Sequence, residues 1–121
     1  MVRAIRGATT ADNTKESIID STKKLLLEIL KVNKLDIVQI ISVLFTATAD
    51  LDRAYPAVAA REMGMTDAAL MCVQEMHVAG SLPGCIRVLV TAETDIPQKD
   101  VRHVYLRGAR VLRPDLEPTD E

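Results

Sequence analysis

Aromatic side chains are nearly missing from this 121-residue chain, which has no Trp, one Phe and two Tyr. A core must therefore be assembled from Ile, Leu, Val, Ala and Met, and the stacking surfaces used to hold single-stranded nucleic acid are absent. Charge of one sign is lacking too. Fifteen basic and 17 acidic residues leave a net charge of −2, so no cationic field is present to attract a phosphate backbone, and nucleic acid is excluded as the expected partner. No apolar run approaches the roughly 20 residues needed to cross a bilayer, and the N-terminus lacks the apolar stretch of a signal peptide. The expectation is a cytoplasmic protein with no membrane partner.

Cysteine and histidine are equally sparse. Cys72 and Cys85 each sit among apolar residues and form no CxxC pair, so they are expected to be reduced, buried and small. With only His77 and His103 beside them, no zinc-like ligand spacing can be assembled. A Cys–His nucleophilic pair has no local signature to support it. Phosphate-cradling glycine motifs are also missing, as are paired carboxylates at firm spacing.

What is present is arginine, nine against six lysines. One of them, Arg87, stands inside the most apolar stretch, Cys85-Ile86-Arg87-Val88-Leu89-Val90. A guanidinium stays charged at any ordinary pH and is costly to bury alone. Its partner is either a carboxylate of the protein, Glu75 or Glu93, or an anionic ligand. Arg6, Arg61 and Arg113 likewise flank apolar or turn-forming segments. Arginine's planar fork suits it to gripping carboxylates. Tyr105 adds a phenolic donor, and Glu75 a counter-charge or an acceptor.

Alternation predicts a first strand over 2–9, with Val2, Ala4, Arg6 and Ala8 on one face and Arg3 and Ile5 on the other. Asn13 and Glu16 have capping-box spacing, and apolar residues at helical intervals then run to Asn33. The run 37–46 predicts a buried strand. Pro56 and Gly64 bracket a short helix over 57–63 that presents Arg61, with Tyr55 at its mouth. A strand over 69–76, the Gly80–Gly84 turn and the Arg87 strand suggest a long-looped hairpin, and residues 101–106 a last short strand or a helix-to-strand junction. The tail Arg113-Pro114-Asp115-Leu116-Glu117-Pro118 is too proline-rich to continue a regular element. The result is one α+β domain over 1–121, a mixed β-sheet with one long and one short helix and a flexible tail from about 111. One long helix covers one sheet face, so the apolar second face calls for another copy of the chain.

Several segments in order, Ile5-Arg6-Gly7-Ala8-Thr9-Thr10, Tyr55-Pro56-Ala57, Cys72-Val73-Gln74-Glu75-Met76, Cys85-Ile86-Arg87-Val88, Arg102-His103-Val104-Tyr105-Leu106 and Val111-Leu112-Arg113-Pro114-Asp115-Leu116, closely resemble the monofunctional AroH-type chorismate mutases. The resemblance spans essentially the whole chain. It implies an isomerase converting chorismate to prephenate in aromatic amino acid biosynthesis, by a [3,3] rearrangement that needs no metal, cofactor or covalent intermediate. It also implies a homotrimer whose sheets pack as a pseudo-α/β barrel, with active sites between subunits. By the same resemblance Arg87 meets the ether oxygen, Glu75 accepts from the ring hydroxyl, and Arg6 and Tyr105 hold the side-chain carboxylate. Tyr55, Ala57, Met71 and Cys72 match the pocket wall, and Arg61 and Arg113 match positive groups near the mouth. Val58 stands where the family often carries a charge, Tyr55 where phenylalanine is common, and Leu70-Met71 where a smaller, more polar pair occurs. Rivals are a small trimeric enamine or imine hydrolase and a non-catalytic binder of anionic metabolites.

Overall fold

Thr14, one residue later than the Asn13 the spacing suggests, caps the long helix: its Oγ1 accepts from Ser17 N at 3.0 Å. Asn13 is drawn away because its side-chain amide brackets Asp52, donating to Oδ1 at 2.9 Å and accepting from the backbone N–H at 3.0 Å. The computed structural model describes residues 1–116, so Glu117 and Pro118 of the expected tail lie outside the described residues. Helix α1 spans Lys15–Val32 and buries Ile18, Leu25, Leu26 and Ile29. Each such side chain contributes about 1.5–3 kcal/mol by leaving water.

Strand β1 is Val2–Thr10, β2 Ile40–Ala47, β3 Ala69–Gln74, β4 Cys85–Glu93 and β5 Val104–Tyr105, with helix α2 at Ala57–Glu62. They form one five-stranded mixed sheet in the order β3-β2-β4-β1-β5. The pairs β1/β4 and β2/β4 are antiparallel, whereas β2/β3 and β1/β5 are parallel. The expected hairpin between β3 and β4 is therefore incorrect. β3 returns through α2 to lie parallel to β2 at the sheet edge, and β4 is enclosed by β1 and β2. Residues 85–90 read as an apolar run because Cys85, Ile86, Val88 and Val90 are buried and Leu89 joins the apolar outer face. The strand expected from residue 37 begins only at Ile40, because Asp36 and Gln39 cap each other around a 3-10 turn at Ile37–Gln39.

Alternation gives the sheet two different faces. Ile5, Val43, Phe45, Val88, Val90 and Ala92 point toward α1 and form the core. Gly7 lies on this side, where an added Cβ would come within 2.9 Å of Ile29 Cδ1 and 3.1 Å of the Val104 carbonyl. Only glycine lets the helix approach so closely. Asn33, buried at the end of α1, ties that core to the last strand by donating to the Ile29 and Arg102 carbonyls at 2.9 Å and accepting from Arg102 N at 2.8 Å. The opposite face carries Leu44, Met71, Val73 and Leu89, all exposed. No helix among the described residues is long and apolar enough to cross a membrane.

Asp50 fastens the loop before β4. Its carboxylate accepts from Thr48 Oγ1 at 2.5 Å and from Gly84 N at 2.9 Å. The Thr48 hydrogen bond, reinforced by the Gly84 amide, holds its pKa below the ordinary 3.8. A carboxyl depressed on folding stabilises the protein above its unfolded pKa and loses that contribution as pH falls through the folded value. Asp50→Asn is expected to lower Tm at pH 7, with the difference from the parent beginning to shrink below about pH 3.8, the unfolded value, and vanishing only once pH has fallen below the lower folded value. Thermal melts across the acid range test this, and a Tm gap that persists in strong acid contradicts it.

Candidate active site

Cross-strand register on the exposed sheet face assembles the site. Arg87 is paired with Thr46 on β2 and Ala8 on β1, and one row along, Leu89 lies between Leu44 and Arg6. Parallel pairing of Ala8 with Tyr105 brings the phenol to the same edge. Glu75 extends the outward series of Met71 and Val73 one residue beyond β3, where its N–H donates to the Ala47 carbonyl at 2.8 Å. Arg6, Thr46, Glu75, Arg87 and Tyr105 together line an open cleft of about 170 Å³, with Leu44 and Leu89 as its apolar floor.

Within it, Arg87 Nε lies 3.0 Å from Glu75 Oε1. The Nε–H is not aimed along that contact, so the pair is ionic without a well-directed hydrogen bond. Arg87's side chain retains 43% of its exposure, while its Nε is sealed. The terminal nitrogens therefore face the cleft. Arg113 packs over the Tyr105 ring, 5.9 Å from its centroid, and forks onto Asp115 through bonds of 3.0 and 2.9 Å. Arg113's hydrogen bonds hold the Asp115 carboxyl below its ordinary range. His103, not singled out in the sequence, accepts from the Arg6 backbone N–H at 2.9 Å through Nδ1 and so fixes β1 to the approach of β5. Burial, then the neighbouring Arg6 and Arg113 charges, push its pKa down, which keeps the imidazole a neutral acceptor.

The remaining expected residues lie elsewhere in the chain. Tyr55 and Cys72 line a second, larger cleft of about 490 Å³ beside the β2–β3 edge, together with Arg53, Pro56 and Gln74. Cys72 and Glu75 face opposite sides of β3, as their spacing of three demands. Met71 is on the outer sheet face, opposite Cys72's side, and pairs in register with Leu44. Ala57, the first residue of α2, is buried in the core, while Arg61 is exposed on that helix and borders neither cleft. Cys85 is buried, and loss of solvent raises its thiol pKa, which keeps it protonated and a poor nucleophile.

Arginines, a phenol and one carboxylate converging without an activated nucleophile define a class of small-anion site that works through placement and charge. The type I chorismate mutase family matches residues 2–116, and the chain belongs to that family. It is 46% identical over 121 residues to chorismate mutase AroH of Bacillus subtilis, covering 98% of this chain and 95% of that protein. Identity to chorismate mutase AroH of Thermus thermophilus is 50% over 119 residues, covering 97% and 98%. A solved chorismate mutase from Clostridium thermocellum superposes with a TM-score of 0.88 at 55% identity, over 89% of this chain and 97% of that one.

Proposed function

We propose that this chain is a cytoplasmic chorismate mutase, an isomerase that rearranges chorismate to prephenate in a cleft shared between subunits of a homotrimer. The observation that carries the proposal is the convergence of Arg6, Glu75, Arg87 and Tyr105, separated by up to 99 positions in sequence, in one cleft of a chain of this family.

Chorismate has two carboxylates, and its enolpyruvyl carbon must be folded over the ring before the new bond can form. Arg6 and Tyr105 hold the side-chain carboxylate in that pose, which supplies part of the rate by orientation. As the ether bond breaks, negative charge grows on its oxygen and positive character on the ring. The exposed end of Arg87 meets the oxygen, and Glu75 balances the ring side while accepting from its hydroxyl. Because these charges grow along the reaction coordinate, the interactions are stronger in the transition state than in the bound substrate.

Two features support a shared cleft. The outer face exposes Leu44, Met71, Val73 and Leu89, an apolar surface suited to a second copy. The Tyr55–Cys72 cleft and the Arg87 cleft share no lining residue, so the two sets of walls meet one small ligand when they come from different subunits. The trimer number and barrel-like packing follow the family. Residues 1–121 act as one domain in which Arg113 exchanges Asp115 for a substrate carboxylate.

Loss of chorismate absorbance on adding micromolar protein, with chelator present, tests the activity, and a folded oligomer giving only the buffer rate would falsify it. Mass-conserving conversion without ammonia release separates rearrangement from hydrolysis. Arg113→Ala is expected to lower kcat/KM roughly tenfold, the worth of one charge-assisted hydrogen bond at the mouth, with little change in kcat. A fall confined to kcat would place Arg113 at the reacting bond instead.

A further inference from the structure

Among the described residues, two solvent-sealed side-chain atoms have no hydrogen-bond partner in the protein, Thr46 Oγ1 and Arg87 Nε. They are not scattered. Thr46 and Arg87 are cross-strand partners on β2 and β4, with side chains on the same face, and both line the cleft that holds Glu75, Arg6 and Tyr105. A threonine in a strand ordinarily satisfies its hydroxyl with solvent or a nearby carbonyl, and a sealed, unmade hydrogen bond is destabilising. Arg87 cannot relieve Thr46 of its donor hydrogen, because a guanidinium offers no acceptor. Glu75 is committed to the ionic contact with Arg87 and makes no hydrogen bond to Thr46. The hydroxyl is thus an unspent donor beside the cation of the cleft, on a strand paired on both sides.

We propose that Thr46 is a further ligand-binding residue of the cleft: a ligand that draws the Arg87 guanidinium toward itself uncovers the Thr46 hydroxyl, which donates to the same substrate oxygen. This rests on the chorismate mutase reading and adds to it a neutral donor. Its location beside Arg87 matters physically. A hydroxyl adds a directed hydrogen bond to a developing oxyanion without adding another charge for Glu75 to neutralise, and donors fixed before the reaction need no reorganisation during it. Sequence spacing could not show this, since Thr46 and Arg87 are 41 positions apart and meet only through the β2/β4 register.

Two effects that a structural threonine couples are expected to separate here. Thr46→Val keeps the β-branched shape and removes the unsatisfied hydroxyl, so Tm is expected to hold or rise. Meanwhile kcat falls by about 5–50-fold, less than for loss of a full oxyanion donor because Arg87 remains. Thr46→Ser retains the hydroxyl and is expected within about threefold of the parent. Thr46→Ala, compared with Thr46→Ser, isolates the hydroxyl at nearly constant size and serves if the valine variant folds poorly. Parental kcat in Thr46→Val, or equal kcat in the Ser and Ala variants, overturns the assignment, as does a lowered Tm with unchanged turnover. A parent protein that fails to convert chorismate at all sinks the activity itself, and is told apart by being measured first.

Discussion

Arg87→Ala is expected to lower kcat by about 10²–10³-fold, equivalent to about 2.7–4 kcal/mol of transition-state stabilisation, while the protein stays folded and associated. The size follows from where the guanidinium sits. It is held on a central strand, its inner nitrogen sealed against the Glu75 contact and its outer end open to the cleft. A group gripping a carboxylate equally in substrate and transition state changes KM, whereas one meeting charge that appears only as the ether breaks changes kcat. Folding should survive because the side chain lies on the face away from α1 and keeps much of its exposure, so its loss opens no core cavity and leaves Glu75 within reach of water. Arg87→Lys is expected to recover little, since one ammonium on a flexible stem cannot hold Glu75 and present a planar fork together. Steady-state kinetics beside thermal melts decide the matter. A folded Arg87→Ala protein with near-parental kcat removes the catalytic role, and an unfolded one assigns Arg87 to structure.

Much of this arrangement was legible in the sequence, and the parts that were not share a physical cause. An arginine in an apolar run announced itself without any knowledge of topology, because burying a charge demands a partner, and Glu75 proved to be one of the two carboxylates the sequence offered. Alternation sorted β1 correctly, placing Arg6 and Ala8 opposite Ile5. The same rule required Cys72 and Glu75 to part, which the strand obeys by serving two clefts. Strand neighbours were another matter. The glycine-rich turn at 80–84 looked local, yet β3 pairs with β2 because α2 provides the crossover that a parallel pair needs. Without that register Thr46 was merely one hydroxyl in a β-branched run. His103 was similarly mute, since its bond to the Arg6 backbone spans 97 positions. Capping was read one residue early, because Asn13 had a distant competitor in Asp52 that no local pattern discloses.

Mixing two crippled variants is expected to restore activity that neither has alone, and the recovered amount is set by geometry. Arg87→Ala damages the outer-face wall, with Arg6, Glu75 and Tyr105, and leaves the Tyr55–Cys72 wall intact. A Tyr55→Ala/Cys72→Ala double variant does the reverse. If each cleft joins the outer face of one subunit to the edge wall of its neighbour in a closed ring, a cleft is whole when the first subunit carries only edge changes and the second only Arg87→Ala. With equimolar chains randomly exchanged, each condition holds for about half of the subunits, so about a quarter of clefts are whole and kcat per site averages about a quarter of parental. Against a variant reduced about 10²–10³-fold, that is a gain of roughly 25–250-fold from mixing alone. The control is a second outer-face variant, Glu75→Gln, mixed with Arg87→Ala. Both lesions then fall on the same wall, every cleft retains at least one of them, and no recovery is expected. Recovery in the first mixture and not in the second assigns the two walls to different chains. No gain over the separate variants in either mixture, after subunit exchange is confirmed by mass-labelled chains, instead assigns the whole site to a single chain and removes the shared cleft.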